Sequence, residues 1–332
     1  MQAGGRTLPV GVSAGVSTVT AGVTDGVTAE VVLQQAGSAL TRARRAGRTQ
    51  VEVFDAALLA SVRRRLETET ELRTALERDE LTAHYQPVVD LASGRAVGVE
   101  ALLRWAHPQR GLVLPGEVVD VAEQTGLVVP VGARVLTEAL TTAARWRAEV
   151  PGAAGLWVAV NVSARQLADP ELPDLLRRTL AATGLPPQAV HLEMTESVLL
   201  DGVLGGEEVL RALRATGVEL VVDDFGTGYS SLSYLARLPV STLKLDRSFV
   251  EGLRTADGPE HAIVAAVATL ARTLHLTSVA EGVEDEVQLE GVRAAGVSLG
   301  QGYLWARPAP AQDTAAWLRD NLADPRPGAG AG

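Results

Sequence analysis

The stretch "TAHYQPVVDLASGRAVGVEALL", residues 82–103, holds two strand-like apolar runs separated only by ASGR. Four residues are too few for the crossover helix that joins parallel strands, and they suit a hairpin turn, so the two strands are expected to run antiparallel. Downstream the pattern differs. Six more strand-like runs, "GLWVAVNVS", "AVHLEMTE", "ELVVDDFG", "STLKLD", "LTSVAEGVE" and "VSLGQGYLW", alternate with helical patterns such as "DPELPDLLRRTLAATG" and "EHAIVAAVATLARTLHL", several closed by Gly. Eight strands alternating with helices over roughly 240 residues is the arithmetic of a (β/α)8 barrel. The expected fold is α/β: a modified (β/α)8, TIM-like barrel with an antiparallel first strand, plus a small N-terminal α+β fragment.

The rest of the chain fits around that barrel. Residues 1–57 read as a fragment with a strand near Leu8–Val19, a helix in "TAEVVLQQAGSALTRARRAG" and a short strand in "QVEVF". Residues 58–80 carry Leu59, Val62, Leu66, Leu72 and Leu76 along one side of a charged helix, which makes them a helical connector. The barrel domain is expected over 81–320, and 321–332 as a disordered tail.

Composition narrows the chemistry. The 332 residues have a formal net charge of −10, which argues against non-specific binding to DNA, RNA or an anionic membrane. No run reaches the roughly 18–20 apolar residues of a membrane span. The opening residues alternate like a strand rather than forming a signal-peptide core, so a cytoplasmic protein is expected. There is no cysteine, so a metal must be held by oxygen or imidazole. Of 30 Lys plus Arg a single one is lysine, Lys244, and Asn161 is one of two asparagines. A compact ammonium reaches close to a phosphate or a water where a planar guanidinium does not, so the lone lysine marks a position where the choice matters.

Glu100, Asn161, Glu193, Asp223, Asp224, Lys244, Glu281 and Gln301 all fall at or near the carboxyl ends of the expected strands. Those ends converge on one mouth in this fold. Acids sharing a cavity cannot all ionise unless cations neutralise them, and an oxygen-rich donor set suits Mg²⁺ or Mn²⁺. The adjacent pair Asp223–Asp224 fits a two-metal site with ions roughly 3.5–4 Å apart, the separation used for in-line displacement on phosphate esters. Alone, an Asp-Asp before a Gly turn is more often a solvated cap, and "GTG" says only that positive φ is expected at Gly226 or Gly228. The five histidines form no ligand or catalytic pattern and read as ordinary.

From "EALLRW" (100–105) onward the chain resembles the EAL family of cyclic di-GMP phosphodiesterases. "YQPVVDLASG", "GEVVDVAEQTGL", "NVSARQL", "LEMTES", "DDFGTGYSSLSYL", "LKLDRSFV", "AEGVE" and "GQGYLWARP" occur in the family's order over about residues 80–312. The resemblance implies hydrolysis of cyclic di-GMP to linear pGpG with two Mg²⁺ or Mn²⁺ ions. It implies that Glu100, Asn161, Glu193 and Asp223 hold one metal, and that Asp223 and Asp224 serve the second. Glu281 is a second-metal ligand or an orienter of the attacking water, and Lys244 contacts that water or the scissile phosphate. Arg104 grips a substrate phosphate, while Gln86, Leu102 and Gln301 line the substrate groove. Glu196 braces the "DFGTGYSS" loop, a segment also implicated in a homodimer. A catalytically silent cyclic di-GMP receptor is the rival function, and the retained ligands and lysine favour the enzyme. Residues 1–57 are similar to the end of a GGDEF domain without its signature, which implies no cyclase activity.

Overall fold

The computed structural model describes residues 2–3, 6–7, 12–18, 28–45, 50–54, 56–200, 206–227, 235–254 and 258–322. The eight expected strands form: β1 (Leu81–Asp90), β2 (Ala96–His107), β3 (Trp157–Asn161), β4 (Val190–Thr195), β5 (Glu219–Phe225), β6 (Thr242–Leu245), β7 (Thr277–Ala280) and β8 (Leu299–Gln301). Their hydrogen-bonded order is β1-β8-β7-β6-β5-β4-β3-β2, and β1 also pairs with β2, which closes the barrel. Strand β1 is antiparallel to both neighbours, as the short ASGR connection requires. All other barrel pairings are parallel. At the turn, the Asp90 carboxylate accepts from the backbone N–H and hydroxyl of Ser93 at 2.7 and 2.6 Å, which fixes the reversal.

The helices that cover the barrel include α1 (Val128–Glu149), α2 (Leu172–Thr183), α3 (Gly206–Ala215), α4 (Pro259–Thr273), α5 (Glu286–Ala294) and α6 (Ala311–Leu322). Strand residues alternate between two environments. Val158, Val160, Leu192, Met194, Leu220 and Val222 join Leu136, Leu140, Leu176 and Leu213 of the helices in one buried apolar cluster. Each such side chain contributes about 1.5–3 kcal/mol on burial. The alternate positions face the barrel axis and carry the polar groups described below. Near the amino ends of the strands, Trp157 stacks on His191 with ring centroids 4.2 Å apart and planes 5° off parallel. A Cβ at residue 98 would come within 2.2 Å of the Trp157 ring, so only glycine leaves room for the stack.

Three sequence boundaries are corrected. Strand β2 runs past Glu100 to His107 because β1 pairs with it as far as Leu81↔Trp105 and the strand Gly111–Val113 pairs with its end. Glu100 therefore sits within a strand rather than at its end. The strands in "LTSVAEGVE" and "VSLGQGYLW" stop at Ala280 and Gln301, where a backbone bend replaces them. Residues 321 and 322 belong to α6, held by Asn321 Nδ2 donating to the Trp317 carbonyl and Arg95 donating to the Leu322 carbonyl; residues 323–332 lie outside the described residues.

The chain divides into two compact units, 1–71 and 72–332, and the division falls inside the helix Ala56–Glu77. In the first unit the strand spans Ala14–Val16 and pairs in parallel with Val51–Val53. The partner's three residues limit its length, and residues 8–11 and 19 lie outside the described residues. Helix Ala29–Arg45 packs on one face, where a Cβ on Gly15 would meet the Ala36 carbonyl at 2.1 Å. Val16, Val51 and Val53 are exposed.

Candidate active site

The strand register gathers the expected residues. Gln86 stands opposite Glu100, Asn161 beside Glu193, and Asp223 beside Thr195. Lys244 is the penultimate residue of β6, Gln301 ends β8, and Glu281 follows β7 directly. Gln86, Glu100, Asn161, Glu193, Asp223, Glu281 and Gln301 line a cleft of about 660 Å³ at the carboxyl rim; Lys244 and Asp224 are not among its lining residues.

Lys244 forms the floor of this arrangement. It is 1% exposed, and its Nζ lies 2.6 Å from Glu281 Oε1, 2.8 Å from Glu193 Oε2, 3.2 Å from Asp223 Oδ1 and 3.5 Å from Glu100 Oε2. One ammonium faces four carboxylates. Burial opposes the ammonium, but Asp223, Glu100, Glu193 and Glu281 together hold its pKa well above the ordinary lysine value. It is a fixed cation and cannot serve as a base near neutrality.

The carboxylates divide by surroundings. Burial works against ionised Glu100, yet Lys244 and hydrogen bonds from Gln301 (2.6 Å) and Asn161 (2.7 Å) hold it below the usual range. Asn161 spends its amide nitrogen on Glu100, which leaves its carbonyl oxygen for a ligand. Burial pushes Glu193 well up, reinforced by Glu100 and Asp223 and opposed by Lys244. Burial likewise pushes Glu281 up to about 8 against the pull of Lys244. With no further cation the site thus retains protons.

Asp223, Asp224 and Glu281 offer carboxylate oxygens within 4.8 Å of one another. Asp224 has a φ of 53°, and burial with the charges of Asp223 and Asp246 raises its pKa. Gln301 donates to Gln86 at 3.0 Å, Gln86 donates to the Ala306 carbonyl at 3.0 Å, and Gln301 Oε1 is buried without a hydrogen-bond partner. An all-oxygen donor set with an excess of negative charge and an orphaned carbonyl fits hard divalent cations such as Mg²⁺ or Mn²⁺.

The remaining expected residues fall as follows. Leu102 lines the cleft. Arg104 is buried, is not among the lining residues, and donates Nη1 to the Leu103 carbonyl at 2.8 Å. Glu196 is buried, and its Oε2 accepts the Gly226 N–H at 3.0 Å. Gly226 has a φ of 98°, and residues 228–234, including Gly228, lie outside the described residues. His191 behaves as an ordinary interior histidine: burial, aided by Arg214 and opposed by Glu219, pushes its pKa down to about 4.

Sequence reasoning missed two cleft residues. Tyr303, half exposed, carries the Arg307 guanidinium 4.1 Å from its ring centroid; its signal was one of four tyrosines lying two residues beyond Gln301. Arg247 is the only basic residue lining the cleft among the described residues. Nothing in its sequence distinguishes it from the other arginines.

Residues 69–308 match the sequence model of the EAL domain. The bifunctional diguanylate cyclase/cyclic di-GMP phosphodiesterase MucR of Pseudomonas aeruginosa is 43% identical over 286 residues, covering 86% of this chain and 41% of the relative. The cyclic di-GMP phosphodiesterase PdeR of Escherichia coli is 36% identical, covering 88% of this chain and 43% of the relative. The chain thus spans about two fifths of the length of these curated relatives. Among solved structures, a PaMucR phosphodiesterase in complex with c-di-GMP is similar at 45% identity and a TM-score of 0.71, covering 75% of this chain and 99% of that one. The EAL enzyme Bd1971, with cAMP and cyclic di-GMP bound, is 29% identical with a TM-score of 0.75, covering 89% of this chain and 77% of that one.

Proposed function

The chain belongs to the EAL domain family, and on that premise we propose that it is a phosphodiesterase hydrolysing one phosphodiester bond of cyclic di-GMP to linear pGpG. The observation that carries this reading is the buried Lys244 ammonium enclosed by four carboxylates, three from strands and one from the bend after β7, beneath a cleft at the carboxyl rim. Its support includes the relatives named as cyclic di-GMP phosphodiesterases. In the proposed reaction a water oxygen bonds to phosphorus and the P–O3′ bond breaks. The 3′ oxygen leaves with a proton, and the phosphate stays on the 5′ side.

Glu100, Asn161, Glu193 and Asp223 would hold one Mg²⁺ or Mn²⁺, and Asp223, Asp224 and Glu281 the second. Bound divalent cations supply the Lewis acidity that favours ionisation of water and offsets charge on phosphoryl oxygens. Lys244, permanently charged, stabilises the negative charge that builds as water attacks. Glu281 would hold the second cation or orient the attacking water's O–H with its carboxylate. Gln86, Leu102 and Gln301 would line the substrate groove, and Arg104 would grip a substrate phosphate.

Chromatography of cyclic di-GMP incubated with purified protein and Mg²⁺ or Mn²⁺ tests the reading. The expected product is pGpG, with turnover largely abolished in Glu100→Ala. Binding without product would overturn it in favour of a receptor. A homodimer through the barrel, a cytoplasmic location and a cyclase-silent GGDEF-like remnant at 1–57 complete the proposal. Among the described residues no helix is long and apolar enough to cross a membrane. Sedimentation and a GTP-to-cyclic-di-GMP assay check the dimer and the remnant.

A further inference from the structure

Glu281 is the one acid of the site that does not sit on a strand; it opens the bend 281–285 between β7 and α5. A group on a bend keeps its aim only if the backbone around it is fixed. On the barrel side the Glu281 N–H donates to the Leu245 carbonyl at 3.2 Å, and the Val283 N–H to the Gln301 carbonyl at 3.0 Å. Gly282 has a φ of 71°, and a Cβ on Gly302 would lie 2.0 Å from the Val283 carbonyl oxygen, so bend and neighbouring strand end are in backbone contact.

On the helix side a buried side chain holds the bend. Gln288, fully buried at 0% exposure, accepts the Glu284 N–H at 2.7 Å and the Asp285 N–H at 3.3 Å on its Oε1. Its own backbone N–H donates to Asp285 Oδ1 at 2.9 Å, completing a capping box. Arg254 adds an outer clamp, with Nε 2.8 Å from Asp285 Oδ2 and Nη2 3.0 Å from Glu284 Oε2. That clamp is exposed, and exposed ion pairs contribute little. Removing the buried acceptor strands two backbone donors, which is the larger effect.

We infer that Gln288 is a positioning residue for Glu281: by tying down the far end of the bend it fixes the carboxylate that faces Lys244 and the second cation position. This rests on the proposed phosphodiesterase reading. Residues that orient a metal-binding carboxylate through hydrogen bonds typically alter metal affinity or activity about 10–100-fold when changed.

The test compares Gln288→Leu, which has similar volume and no acceptor, with Gln288→Glu, which restores the acceptor oxygens of the usual capping box. Val292→Ala, on the same helix and equally buried, controls for simple loss of stability. Manganese binding is read from the free-ion electron paramagnetic resonance signal, alongside kcat, KM and thermal unfolding in EDTA. For Gln288→Leu the expected result is about 10–100-fold weaker manganese binding and a matching loss of kcat, with KM for cyclic di-GMP within about threefold. Gln288→Glu should recover most of both. Val292→Ala should unfold earlier while binding manganese normally. Unchanged manganese affinity in Gln288→Leu, or an equal loss in Val292→Ala, overturns the inference. If the wild type binds manganese but yields no pGpG, only the proposed function falls; if it binds no manganese, both do.

Discussion

Replacing Lys244 with methionine is the most direct probe of the site. Methionine keeps much of the apolar stem and deletes the charge, leaving Glu100, Glu193, Asp223 and Glu281 without the cation that touches all four. Replacing a whole buried ion pair with apolar groups is often neutral. Removing one partner costs about 3–5 kcal/mol, because the other remains desolvated and uncompensated. For a domain of this size that corresponds to a fall in Tm of roughly 6–20 °C. Circular dichroism melts of Lys244→Met and wild type in EDTA at pH 8 measure it. The deficit should shrink at pH 5, where protons can take over the neutralising role. It should also shrink on adding Mn²⁺ at one fixed concentration, because the variant's site, freed of the competing ammonium, binds the cation more tightly than the wild type and each form gains RT ln(1 + [Mn²⁺]/Kd). An unchanged or raised Tm in EDTA, or a deficit indifferent to both pH and manganese, would refute the claim that Lys244 neutralises this cluster.

Lys244→Arg keeps the charge but needs room for a planar fork where carboxylates already stand at 2.6–3.5 Å; turnover of cyclic di-GMP should fall at least about 100-fold, measured as pGpG formation. Arg247→Gln removes the only basic residue lining the cleft among the described residues. KM for the doubly charged cyclic dinucleotide should rise about tenfold, while hydrolysis of bis(p-nitrophenyl) phosphate, which carries one charge, should be unaffected; equal effects on both substrates would refute a role in holding the second phosphate. His191 binds its proton at about 4 in the folded state and near 6.5 when unfolded, so between those values the unfolded state holds more protons and stability falls as pH falls. His191→Gln should remove up to about 3 kcal/mol of that loss, read from urea melts in EDTA between pH 7 and 4.

The sequence made the barrel legible because its strands are short apolar runs of even spacing, and because four residues between the first two admit only a reversal. The polar residues were legible as well, since Glu100, Asn161, Glu193, Asp223 and Lys244 interrupt runs that would otherwise be wholly apolar. What it did not show depends on contacts between distant segments. The extension of β2 to His107 comes from pairing with β1 and 111–113, and its own "RWAH" carries no strong strand signal. Gln288 looks like any polar helix residue until its Oε1 is seen to hold two backbone amides. Arg104 is buried and donates Nη1 to the Leu103 carbonyl, a contact between neighbours in the chain that its sequence does not announce.

The reversed first strand also changes the pole at which the polypeptide enters the barrel. In an all-parallel (β/α)8 fold the first strand starts at the pole opposite the chemistry. Here Leu81 starts beside Trp105, beyond the catalytic mouth. Leu72 and Ala75 of the incoming helix pack in one cluster with Leu81 and Trp105, while Glu80 accepts the Trp105 indole N–H at 3.1 Å and the Ala106 amide at 2.8 Å. The entry helix therefore grips the same strand that carries Glu100, five residues from the acid itself.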